Sequence, residues 1–456
     1  MIQFHINNFT LKGDYMIKLS DHFDYGRLIG FTYPTIGVLV IMSVYSVVDG
    51  FFVANFVSTS AFAAVNFVMP VLLLLGYVGL LFGEGGGALI GKTLGEKNSA
   101  KANRIFSMLI YLSAVLGIFF AIFGITFVDD ILEFLGAEGE LLEQSITYGQ
   151  IVSIALPLNI LNLEFLCFAA TAGKPKFGFY VSLATGLTNI FLDALFIVVF
   201  GWGLEGAAVA TLISQAVGGI LPFIYFSKKN SSLLRLTTAT LDIEALIQTC
   251  FNGVSELISS VSMSIVSMLY NWQLLKYAGE NGVAAFGILM YVAFIFEGIY
   301  VGYSMGLEPV VSYHYGAKNY KELKSLLRKS LKLLAVVSIV TFLIAEIFAR
   351  PLAQIFASAD ENLFEMTVHA FRIYSFAFLI ESFSLFASAF FTALNNGLIS
   401  AVISGLRTLV FEVFAVLTFP LIFGLNGIWF SMVGANIMAL IVSAVLLKRY
   451  QRTYKY

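Results

Sequence analysis

The chain is 456 residues long, 59% hydrophobic and 12% charged, proportions that exclude water-soluble globular domains and place the protein in the lipid bilayer. One crossing of the hydrocarbon takes about 20 mostly apolar residues, so the length holds about a dozen crossings and no large soluble domain. The 26 Lys and Arg against 28 Asp and Glu give a net charge of −2, which removes any general case for nucleic-acid binding and leaves only the placement of charges as informative.

The first residues, MIQFHINNFTLKGDY, lack the basic, then apolar, then small-residue order of a cleavable signal, and Met16 is a second candidate start. Apolar windows then recur at 30–53, 62–83, 105–128, 147–170, 179–200, 206–226, 246–270, 284–308, 330–349, 368–393, 399–422 and 427–447. Backbone groups in lipid must find partners within their own segment, and these windows are too long and too uniformly apolar for barrel strands. The spacing therefore predicts an all-α polytopic membrane protein with twelve transmembrane helices.

Basic residues flank spans on the cytoplasmic side. With both termini inside, 22 of the 26 Lys and Arg fall in inner segments, Lys276 and Arg350 fall outside, and Arg372 and Arg407 fall within spans. The expected organisation is a cytoplasmic N-terminal segment 1–29, helices 1–6 over 30–226, a cytoplasmic linker 227–245, helices 7–12 over 246–447 and a cytoplasmic tail 448–456.

Sliding the sequence against itself by 221 residues brings Gly85 onto Gly306, Gly95 onto Gly316, Lys97-Asn98 onto Lys318-Asn319, Thr171-Ala172 onto Thr392-Ala393 and Gly203-Leu204 onto Gly424-Leu425. The halves read as duplicated six-helix lobes. An even number of spans per half makes the repeats parallel, related by a pseudo-twofold axis along the membrane normal.

The sequence has no HExxH motif and no Cys/His cluster. The protein is expected not to be an enzyme and to need no cofactor. Cys167 and Cys250 read as inert packing residues, and His5, His22, His314 and His369 as surface or satisfied histidines. The run GEGGGALIG, 83–91, joins an apolar helix to an inner loop, which suits close helix packing or a gate rather than a nucleotide loop.

Acidic residues inside apolar windows carry most of the chemical signal: Asp49, Glu164, Asp193, Glu256, Glu297, Glu346, Glu381 and Glu412. An acidic side chain at a helix centre costs about 2.5–3.5 kcal/mol on insertion scales, so each requires an ion, a proton, a partner or water. For Glu164, Glu297, Glu346 and Glu412 the plainer expectation is a structural hydrogen bond or a helix end near water. Asn189 and Asp193 are four apart and share a helix face. At about 1.5 Å per residue, Thr211 and Asp193 lie nearly level on either side of the turn at Gly201-Trp202-Gly203, and Asp49 lies about 8 Å below the end of the first span. Two carboxylates, an amide oxygen and a hydroxyl form a hard-oxygen set suited to a proton or a small cation. Pro34, near the start of the first span, is either a bend that changes access to Asp49 or a first-turn proline without mechanical role.

At these residues a resemblance is plain. VVDGFFVANF (47–56), GGGALIGKTLGEKNSAKANRIFS (85–107) and LEPVVSYHYGAKNYKELKSLLRKS (307–330) resemble the multidrug and toxic-compound extrusion (MATE) family, in particular its bacterial MepA-like members, over essentially the whole chain from Met16. The resemblance implies a V-shaped pair of six-helix lobes in a bacterial inner membrane, exporting organic cations in exchange for Na⁺ or H⁺. It implies an N-lobe cation site at Asp49, Asn189, Asp193 and Thr211, able to hold Na⁺, and a C-lobe acidic site at Glu256 and Glu381, the latter departing from the aspartate of other relatives. Glu84 stands where relatives often carry a small or hydroxyl residue, and no role is assigned to it. The expected partners are membrane lipids and small organic cations, not nucleic acid, and the expected state is a monomer. Two rival readings are a flippase for lipid-linked oligosaccharides, which needs a strongly cationic cavity, and a non-transporting membrane scaffold or receptor, which needs no ionising Asp49 or Asp193.

Overall fold

The computed structural model describes residues 17–357 and 361–456; His5 and Met16 lie outside the described residues. Among those residues the chain is helical throughout, with no strand. The helices of the first half are α1 (Tyr25–Phe56), α2 (Ser60–Gly95), α3 (Ser99–Phe134), α4 (Gly139–Thr171), α5 (Pro175–Val199) and α6 (Gly203–Ser227). The first helix therefore begins at Tyr25, ahead of the expected residue 30, with Asp24 as its N-cap. Pro34 lies past the first turn of α1, and the helix runs through it unbroken.

A single helical run then covers Ile243–Gly316, 74 residues. At about 1.5 Å per residue this would be about 110 Å long, far more than a bilayer. The run is broken at Gly279, whose φ of 63° and ψ of −154° leave the helical region, a conformation that glycine adopts without strain. The rings of Tyr270 and Phe286 stack with centroids 4.9 Å apart, although 16 residues of continuous helix would separate them by about 24 Å. The chain thus reverses at Gly279 into α7 (243–278) and α8 (280–316). The remaining helices are α9 (Tyr320–Ala357), α10 (Glu361–Phe378 and Glu381–Ala393, bent by 40°), α11 (Gly397–Phe423) and α12 (Leu425–Tyr454). Twelve spans result, as the apolar windows predict.

The sequence repeat is visible in the turns. Lys97 and Lys318 both adopt left-handed backbone, with φ of 62° and 55°, and the next residue, Asn98 or Asn319, caps the following helix by accepting from the amide three residues on. Gly203 and Gly424 share φ of 59° and 58°. The contacts between lobes are reciprocal as well. A Cβ on Gly95 would meet the Tyr313 carbonyl at 2.0 Å, and one on Gly316 would meet the Lys92 carbonyl at 2.0 Å, each position being the 221-residue image of the other. That reciprocity is the mark of a twofold relation.

All these close approaches lie toward the end that carries Lys92, Lys97, Lys318 and both described termini, here called the basic end. Between α2 and α7, Gly85 faces the Thr249 carbonyl and Gly253 faces that of Leu81; between α1 and α8, Gly302 packs on Ile36 and Gly306 on Thr32 and Thr35. Small residues let the backbones touch, which in lipid supplies packing that a general hydrophobic drive does not. The glycine-rich run is accordingly a packing surface: Gly83 to Gly91 are buried throughout. Asn395, in the turn between α10 and α11, adds a polar tie, donating to the Ala88 carbonyl at 3.1 Å and accepting from Asn252 at 3.1 Å.

The segment before α1 and the linker close the basic end. Leu19 and Phe23 are buried in a cluster with Leu307, Val310, Leu323 and Phe390, and Glu322 accepts from the Phe23 amide at 2.9 Å and pairs with His22 at 2.6 Å. In the linker, the Arg235 amide donates to Asn103 and the Thr237 amide to Ser107, both at 2.8 Å, so the linker lies along the start of α3.

Candidate functional site

Two polar regions sit within the helices. The first is in the N-lobe, away from the basic end. Asp49 of α1 and Asp193 of α5 face one another, and the buried hydroxyl of Tyr148 on α4 adjoins both carboxyl groups and Thr211 of α6. Tyr45, one turn before Asp49, faces it too. Asn189 is 3% and Asp193 0% exposed, four residues apart on one helix. No protein donor reaches Asp49 Oδ1, Asn189 Oδ1 or either oxygen of Asp193. Buried oxygens left without donors are costly, and a small cation or a shared proton satisfies such a set. Asp193 also ends the regular part of α5, since Ala194–Val199 continue as a π-helix, a widened turn common at functional positions. The structure therefore sets Asp49 against Asp193, with Asn189 one turn from Asp193 and Thr211 beside Tyr148. Tyr45 and Tyr148 are additional neighbours; a tyrosine in an apolar window carries no signal that separates it from packing.

The second region is a cavity of about 210 Å³, partly open to solvent, between α2, α7, α8, α10, α11 and α12. Its polar lining includes Glu84, Glu256, Glu297, Glu381, Glu412 and Arg407, and its apolar lining includes Met263, Met290, Met305, Met432, Phe286 and Phe294. Arg407 approaches Glu381 Oε1 at 4.0 Å and also faces Glu256, Glu297 and Glu412. The two acids expected from the sequence, Glu256 and Glu381, thus share one cavity. The plainer expectation for Glu297 and Glu412 does not hold: they belong to the same acidic wall. Glu412 directly follows Leu406–Phe411, a second π-helical stretch, which shifts the helix register there in a way that no apolar pattern encodes. Glu346 does have the expected structural hydrogen bond, from Ser375 at 2.6 Å, whereas neither oxygen of Glu164 has a partner.

The remaining signals are structural. His314 lies near Asn319 and His369 near Asn426, and Cys167 and Cys250 are free thiols, half-buried among the helices. Of the two span arginines, Arg372 is exposed and Arg407 is 6% exposed.

A family model described as MatE matches residues 34–195 and 257–418, the two lobes in turn. This chain belongs to the MatE family. Among curated relatives, a protein described as multidrug export protein MepA from Staphylococcus haemolyticus is 26% identical over 443 residues, covering 96% of each chain; one from Staphylococcus aureus strain MSSA476 is 24% identical over 430 residues, covering 93% of this chain and 92% of its own. Among solved structures, one described as the outward-facing conformation of a multidrug resistance MATE family transporter superimposes with a TM-score of 0.90 at 23% identity, over 95% of this chain and 97% of the other. A Pyrococcus furiosus MOP superfamily transporter, described by the reverse polarity of its binding pocket, gives 0.89 at 22% identity over 95% and 98%. The fold is the twelve-helix MATE fold, and MatE membership accounts for the duplicated lobes.

Proposed function

We propose that this chain is a multidrug efflux antiporter, exporting lipophilic organic cations in exchange for Na⁺ or H⁺ by alternating access. The observation that carries the reading is the charge of the large cavity: five glutamates and one arginine line it beside flexible methionines and aromatic rings. Carboxylates attract a cationic substrate, and methionine and aromatic side chains adapt to varied apolar shapes. A lipid-linked pyrophosphate needs the opposite polarity, which disfavours the flippase reading. The proteins described as MepA are multidrug exporters by name, consistent with this assignment.

The coupling site in this reading is Asp49, Asn189, Asp193 and Thr211, whose unsatisfied oxygens suit one small cation or a proton held between the two aspartates. Coupling requires that ion and drug prefer different states, since equal affinity for both shifts nothing. By the positive-inside rule the basic end is cytoplasmic, the membrane is the bacterial inner membrane and both termini are inside. The seam at that end is closed, so the conformation is outward-facing. Ion binding in this state favours drug release, and loss of the ion inside resets the cycle. One charge moving through 100 mV contributes about 2.3 kcal/mol, so an uncompensated inward cation is a strong drive.

The test uses everted vesicles and a fluorescent organic cation. Uptake driven by a Na⁺ or H⁺ gradient, abolished by Asp49→Asn or Asp193→Asn at normal expression, supports antiport. Equal uptake by both variants rejects the coupling site. Imposing one ion gradient at a time identifies the ion.

A further inference from the structure

The seam between the lobes holds a third polar feature, separate from the N-lobe aspartates. Between α1, α2, α4 and α8 lies a cavity of about 10 Å³, lined by Thr35, Glu84, Cys167, Thr171 and Glu308. That is the volume of about one water-sized particle. Glu84 is 7% and Glu308 5% exposed, one from each lobe. Glu308 Oε1 and Thr171 Oγ1 converge on the bare Cα of Gly87, lying 3.8 and 3.2 Å from where its Cβ would stand. Among the described residues no donor reaches the Glu308 carboxyl, and the charge beside it is another acid, Glu256. Glu84 faces both Glu256 and Glu308, and Cys167 faces Glu84, Glu164, Glu256 and Glu308. Arg407 acts on this group through Glu256.

Buried like charges repel strongly, and a carboxylate without a donor is costly. With the lobes together at the basic end, the seam acids therefore need positive charge of their own, and the oxygens around a one-particle cavity are arranged to take it. We infer that Glu84, Glu308, Thr171 and Thr35 form an inter-lobe site for one small monovalent cation, Na⁺ or a shared H⁺, which latches the basic end shut.

Its ligands come from both lobes, so the site exists in the closed state and is dismantled when α2 and α8 part. A ligand that binds one state alone draws the equilibrium toward it: at about 100 times its half-saturating concentration the closed-to-open ratio rises about 100-fold. The latch rests on the alternating-access reading only in requiring that the lobes separate at this seam; it needs nothing from Asp49 or Asp193.

The experiment measures the distance between spin labels on non-cysteine handles at Lys101 and Lys324, exposed at the basic end of opposite lobes, which leaves Cys167 in place. The full-length protein carries Asp49→Asn and Asp193→Asn so that only the seam acids respond. Two titrations are made, Na⁺ at fixed pH and acid at fixed salt. The expected result is a rising short-distance population in one of them, which names the ion. Glu308→Gln and, separately, Glu84→Gln relieve the repulsion, so each gives a mostly closed population insensitive to that ion, while Glu308→Asp retains the response at higher concentration. No response to either ion in the parent, or the same response in both Gln variants, overturns the latch. Failure of the drug-exchange assay with a preserved seam response sinks the proposed function and leaves the latch standing.

Discussion

Gly85 of α2 and Gly253 of α7 meet backbone to backbone: a Cβ on Gly85 would stand 2.6 Å from the Gly253 nitrogen, and a Cβ on Gly253 would stand 2.0 Å from the Leu81 carbonyl oxygen. Backbone cannot rotate away as a side chain can, so an added methyl is relieved by moving the helices apart. Overpacking costs about 1–3 kcal/mol, and here that cost falls on the closed state. Gly85→Ala is expected to lower the closed-to-open ratio about 5- to 160-fold, read as a longer Lys101 to Lys324 label distance and reduced drug export. An unchanged distance distribution counts against the seam as drawn.

Asn189 contributes a carbonyl oxygen that has no protein donor. If that oxygen faces the coupling ion, Asn189→Ala removes one charge-assisted contact of about 1.5–3 kcal/mol. The half-saturating ion concentration for drug exchange should rise by about 10-fold or more, with the maximal rate less affected. Ion-titrated initial rates in vesicles check this, and an unchanged midpoint removes Asn189 from the site.

Arg407 is 6% exposed and faces four glutamates. Removing one partner of a buried charged group typically costs about 3–5 kcal/mol because the rest is left unpaired. Arg407→Gln is expected to lower the thermal midpoint of the purified protein markedly. Adding Glu381→Gln should restore part of that loss. Equal midpoints for Arg407→Gln and the native protein would show that the cavity acids are balanced without it.

Asp24 caps α1 by accepting from the Arg27 amide at 2.8 Å. That amide, aided by the Arg27 charge, holds the carboxyl below the ordinary aspartate range. A group with a depressed folded value adds stability above its unfolded value and loses it as pH falls through the folded one. Slow hydrogen exchange at the Arg27 amide should persist from neutral pH into mild acid and fade only below the ordinary aspartate range. Asp24→Ala should exchange fast at every pH, and Asp24→Asn, a neutral cap, should show no such acid transition. Identical acid profiles for the native protein and Asp24→Asn exclude the carboxylate as the cause.

Much of the fold is legible in the residues. Apolar windows fix the spans because lipid admits no unsatisfied backbone, and the 221-residue repeat reappears as matched Lys97 and Lys318 turns. That Asp49, Asp193 and Thr211 lie at a similar depth in one lobe is legible as well, because helix rise gives depth. Glu84 and Glu308 are less so, although each lies within two positions of the repeat-matched Gly85 or Gly306. An acid beside a packing glycine is a signal, but it does not say which helix lies opposite.

The sequence by itself determines where this chain crosses the membrane, how often, and which buried groups must find a counter-charge, since those depend on transfer from water to lipid one segment at a time. Which acids share a partner was decided by tertiary structure. Helices apolar on every side carry no stripe to orient them, so their rotation and tilt follow from glycine contacts between lobes. Those contacts set Glu84 against Glu308, and the π-helical stretch of α11 turns Arg407 toward the cavity acids.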